Sequence, residues 1–76
     1  MNIYMRDKED NLVIKDILSV DFDMGIEEKD NNKYKVRVNN NYYLEGEYDS
    51  KDEAEENMLR VAMQRDEVES DLRKYE

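Results

Sequence analysis

From Ser50 to the end of the chain there is neither Gly nor Pro. That run opens on Ser50-Lys51-Asp52-Glu53, the form of a capping box, in which Ser50 accepts from the third helical amide and Glu53 reaches back. The spacing predicts one helix over 51–74, about 36 Å long at 1.5 Å per residue, whereas a seven-residue strand spans only about 23 Å. The helix therefore outreaches any sheet that the preceding residues can build.

Those preceding residues alternate. Ile3 and Met5 share a face in a strand over 3–6, and Asp7 to Asn11 is a polar turn, after which Leu12-Val13-Ile14 begins a second extended stretch. Leu18, Val20, Phe22 and Met24 alternate with Ser19, Asp21 and Asp23, which predicts a strand over 17–24. Gly25 to Asn32 reads as a turn. Tyr34, Val36 and Val38 point inward from a strand over 33–38, and Tyr42, Leu44 and Tyr48 from one over 42–48. A loop at Asn39-Asn40-Asn41 pairs Val38 with Tyr42 and Val36 with Leu44, Asn being tolerant of the left-handed conformation such loops need. The same register sets Lys35 opposite Glu45 and Lys33 opposite Glu47, with Asp21 and Asp23 in reach of Lys35 and Arg37. The expectation is an α+β fold: an antiparallel sheet of three or four strands with one long C-terminal helix on one face. With no linker or repeat, residues 1–76 read as a single domain.

Seventy-six residues leave room for one thin core and no cleft between lobes. Without Cys or His, disulfides, zinc constellations and the Ser-His and Cys-His nucleophile pairs are excluded. Twenty-one acids against 12 bases, a net charge of −9, bring carboxylates together by chance, so paired acids carry no catalytic signal. Asp21-Phe22-Asp23-Met24-Gly25 lacks the ligand spacing of a calcium loop. Neither an enzyme nor a cofactor or metal site is expected. Met1 to Arg6 does not begin a signal peptide and no apolar run approaches membrane length, which points to the cytoplasm.

Within the helix, Ala54, Met58, Val61, Arg65, Val68, Leu72 and Tyr75 follow spacings of four and three. The apolar residues of its first half centre roughly 100° away from Val68, Leu72 and Tyr75 on a helical projection. Those three are candidates for a seam with a second copy or a foreign protein, unless Leu12 to Ile17 folds up to cover them. Leu59 and Met63 fall beside acids, the arrangement of a small hot spot for a basic partner, unless the helix is rotated to bury them. The acids near its start also suit the positive end of the helix dipole.

The charge opposes direct nucleic-acid and anionic-membrane binding and favours basic proteins. Asp52, Glu53, Glu55, Glu56, Asp66, Glu67, Glu69 and Asp71, spread over about 30 Å of helix, can stand in for successive phosphates. Eight Asn with no Pro, Trp, His or Thr suit an AT-rich coding sequence, as in a low-GC bacterium or its phage. In size, acidity, absence of Cys and this composition, the whole chain resembles small phage and prophage inhibitors of host defence, of the anti-CRISPR kind. That resemblance is one of general character and carries no motif. It implies a non-catalytic, stoichiometric inhibitor, acting in the host cytoplasm on a Cas effector or other nuclease. The competing expectation is a homodimeric interaction module whose acidity serves only solubility.

Overall fold

The computed structural model describes residues 1–20 and 23–73. Five strands and one helix follow in chain order: β1 (Asn2–Asp7), β2 (Leu12–Asp16), β3 (Met24–Glu28), β4 (Tyr34–Val38), β5 (Tyr42–Leu44) and α1 (Lys51–Arg73). The fold is α+β, with an antiparallel sheet in the order β2-β1-β5-β4-β3 and the helix packed on one face against β3 and β4.

The β1–β2 hairpin is built around Asp7. Its carboxylate accepts from the backbone N–H groups of Glu9 and Asn11, both at 2.9 Å, and Asp10 takes the left-handed conformation at φ +66°. The β4–β5 hairpin has the expected register. Asn39 is left-handed at φ +56°, Val38 lies opposite Tyr42 and Arg37 opposite Tyr43. Alternation then sends Val36, Val38 and Leu44 into the core with Ile3 and Met5 of β1.

Three local expectations are corrected. The strand expected over 17–24 does not form: Ile17–Ser19 is a single 3₁₀ turn. The Asp16 carboxylate accepts from Leu18 N–H at 2.9 Å and its carbonyl from the Ser19 hydroxyl at 2.7 Å, which ends β2 and turns the chain. The buried residues there, Ile17 and Val20, are three apart, the repeat of a 3₁₀ turn. This segment connects one edge of the sheet to the other, touches the helix and brings Val20 into the core. Phe22 and Asp21 lie outside the described residues.

Secondly, the turn expected at Gly25 to Asn32 begins later, because β3 occupies Met24–Glu28 and only Lys29 to Lys33 turn, closed by a 2.6 Å bond from Lys29 N–H to the Lys33 carbonyl. Gly25 is a strand residue that lets Arg37 fold over it: a Cβ there would lie 2.7 Å from Arg37 Nη2. Thirdly, the strand expected over 42–48 breaks after Leu44. Gly46, at φ +106°, lets the chain bulge so that Tyr48 bridges Tyr34, two residues further along than a continuous strand allows. The bulge removes the expected pairs Lys35–Glu45 and Lys33–Glu47. Glu45 bonds Arg6 instead, at 2.8 Å, and Lys33 pairs with Asp49.

At the helix start Ser50 caps as expected, and the return bond of Glu53 falls one residue before the position a capping box gives it. Glu53 N–H donates to Ser50 Oγ at 3.2 Å, and the Glu53 carboxylate accepts from Asp49 N–H at 3.3 Å. Ser50→Ala is expected to cost about 0.5–2 kcal/mol, read as a lower urea midpoint at unchanged slope. The helix seats Ala54 and Val61 in the core, with Met58 packed against it. Val68 is half-buried and Leu72 is 55% exposed, so burial fades along the helix as it passes the sheet. The molecule measures 47 × 25 × 16 Å with a radius of gyration of 13.2 Å, against about 11.4 Å expected for a globular chain of this length. The overhanging helix accounts for that elongation.

Candidate functional site: an acidic ridge on the helix

The seam Ala54, Met58, Val61, Arg65, Val68 is the sheet-facing side of α1: Ala54 and Val61 are buried and Met58, Arg65 and Val68 half-buried. Leu59 and Met63 are left on the far side, 58% and 63% exposed. They border a shallow open hollow completed by Glu56, Arg60, Gln64 and Glu67, and a second hollow follows it, lined by Asp66, Glu67, Ser70 and Asp71. Arg60 bonds back to the Asn57 side chain.

The remaining acids fall into two groups about this apolar pair. Asp52, Glu55 and Glu56 are exposed before it, and Asp66, Glu67 and Asp71 after it, while Glu69 is half-buried. Glu53 is held by its role in the cap. About 15 Å of helix separates Glu56 from Asp66, and about 28 Å separates Asp52 from Asp71. The helix carries eight acids against four bases, Lys51, Arg60, Arg65 and Arg73. The exposed side is thus acidic, apolar, then acidic again, in line along one rigid element. Of the expected seam Val68, Leu72 and Tyr75, Val68 is partly covered by the fold, Leu72 is open, and Tyr75 lies outside the described residues, as does Lys74.

Sequence reasoning placed the β4 cations on the opposite face of the sheet and missed Tyr43 and Glu27 beside them. Tyr43 points there, its ring 4.4 Å from Lys29 Nζ and 5.8 Å from Lys35 Nζ, and its hydroxyl donates to Glu27 at 2.8 Å. Glu27 also meets Lys29 at 3.3 Å and Arg37 at 3.9 Å and lies opposite Lys35, so it takes the place expected for Asp23 beside the β4 cations. The signal was present in the sequence: with Tyr42 and Leu44 inward, Tyr43 has to face out.

The Tyr43 hydroxyl, with Lys29 and Arg37, holds the Glu27 carboxyl below its ordinary range, and Asn11 does the same for Asp7. Carboxyls depressed in the folded state stabilise it above their unfolded pKa, near 4, and that contribution is lost as pH falls through the folded value. Thermal stability is expected to drop below about pH 4, and Glu27→Gln to flatten the drop in a pH series of melting curves.

Among the described residues no three acidic side chains converge to hold a metal, and no helix is long and apolar enough to cross a membrane. Comparison with protein-family models, curated proteins and solved structures gives no match.

Proposed function

We propose that this chain is a non-catalytic binding protein whose helix occupies a basic, nucleic-acid-binding groove of another protein. The observation that carries the reading is the exposed Leu59–Met63 pair set between two acidic groups on one rigid helix. A solvated helix has no need of two large apolar side chains on its outer side, and an apolar centre with a charged surround is the usual anatomy of a protein interface. The acids supply the long-range attraction and the orientation, Leu59 and Met63 the desolvated contact. An acidic line of about 28 Å covers the axial length of about eight base-pair steps of duplex at 3.4 Å each.

The general likeness to small phage inhibitors of host defence supports a particular version of this reading, with a Cas effector or another host nuclease as target and the host cytoplasm as the place of action. The test is capture from a low-GC bacterial lysate on immobilised wild-type protein, in parallel with the Leu59→Lys/Met63→Lys variant, washed at low and high salt. A basic nucleic-acid-binding protein retained by the wild type alone and released by salt is the expected result. Retention of no basic nucleic-acid-binding protein by the wild type, or equal retention by the variant, would contradict the reading.

A further inference from the structure

The two edges of the sheet are guarded differently. The β3 edge carries Glu27 and Glu28, and Asp23 precedes it, charges of the kind that keep edges from pairing. The β2 edge presents Leu12, Val13 and Ile14 in succession. Which of its backbone groups face outward follows from the bonds at its two ends. Asp7 N–H donates to the Asn11 carbonyl at 3.0 Å, and Ile17 N–H to the Met1 carbonyl at 2.9 Å. In the antiparallel register between them, Asn11, Val13, Lys15 and Ile17 turn their backbone groups toward β1, and Leu12, Ile14 and Asp16 turn theirs away. Asp16 is already engaged, its carboxylate with Leu18 and its carbonyl with Ser19. Leu12 and Ile14 therefore carry both an outward N–H and an outward C=O, beneath side chains 48% and 51% exposed, and Asp16 adds its N–H alone.

We infer that β2 pairs with the same strand of a second copy, antiparallel about a two-fold axis at Val13, joining two five-stranded sheets into one. In that register Leu12 lies opposite Ile14 of the partner subunit, and Ile14 opposite Leu12 of the partner subunit. Both are hydrogen-bonded pairs, so the open groups close as four N–H···O=C bonds. The apolar side chains of each pair share a face, where Tyr4 already lies opposite Ile14 within the chain. On the other face Val13 meets Val13 of the partner subunit. The alternative register, centred on Ile14, sets Leu12 against Asp16 of the partner subunit, whose carbonyl and carboxylate are occupied. A second copy fits because two-fold pairing gives the open groups of Leu12 and Ile14 a complement and their apolar side chains an apolar neighbour.

This edge is remote in sequence from the helix ridge, and the inference stands whether or not the ridge binds a basic protein. The contact is small, in the class of weak association below about 1,200 Å². Each copy carries −9, so raised salt strengthens the dimer, the opposite of its effect on a basic partner.

The test is sedimentation equilibrium of the full chain from micromolar to millimolar concentration at two salt levels, with amide exchange at both ends of the range. The expected result is a dimer that grows with concentration and salt, with slowed exchange of the Leu12 and Ile14 amides as it forms. Ile14→Lys is expected to weaken it about tenfold or more, with an unchanged circular dichroism spectrum, and Leu12→Lys to do the same from the other half of the pair. A wild-type chain that stays monomeric at millimolar concentration overturns the inference. So does a dimer that both variants leave intact, or one that Leu72→Asp disrupts in their place.

Discussion

Met5→Ala is expected to lower the unfolding free energy by about 2–5 kcal/mol, the usual cost of truncating a fully buried long side chain to Ala. Met5 sits on β1, between β2 and β5, with Val13 and Leu44 as its register partners, and no part of it is exposed. A chain of this length has roughly 4–11 kcal/mol in total, so this one change removes a large share. It corresponds to a melting temperature lower by at least about 8 °C. Tyr4→Ala, one residue away on the open face, is the internal control. If thermal melts show Tyr4→Ala costing as much as Met5→Ala, the core is on the wrong side of β1.

Leu59→Lys/Met63→Lys is expected to do the reverse: leave stability within about 0.5 kcal/mol per site while weakening capture of a basic protein by tenfold or more. Both side chains project from the helix opposite the buried Ala54 and Val61, so lysine there meets water in the free protein. In a complex each would bring a cation against a basic surface and would leave it unpaired in the desolvated centre of the contact, where single residues carry 2 kcal/mol or more. Unchanged capture by a variant with an unchanged melting temperature would remove Leu59 and Met63 from any interface.

The fold class was legible because its strongest signals are local: the Ser50–Glu53 cap, the Gly- and Pro-free run behind it, and the alternation of Val36, Val38, Tyr42 and Leu44 across three asparagines. What the sequence concealed depends on contacts between distant residues. Leu18 and Val20 read as one face of a strand, whereas the buried pair is Ile17 and Val20, and the bonds of Asp16 to Leu18 and Ser19 that make the 3₁₀ turn leave no mark on the alternation. Gly25 reads as a turn until Arg37 is known to lie over it. Glu45-Gly46-Glu47 reads as continuing strand until Tyr48 is seen opposite Tyr34. The Leu59–Met63 ridge could be found from helical angles alone. The open β2 edge could not, because the outward direction of Leu12 and Ile14 is set by their pairing with β1.

The most direct measurement is displacement of a labelled oligonucleotide from the basic protein that wild-type chain captures, titrated with wild type and with Leu59→Lys/Met63→Lys. The proposed function predicts stoichiometric displacement by the wild type, weakened by salt and lost in the variant. An oligonucleotide that stays bound at saturating wild-type protein, or that both proteins displace equally, would contradict it.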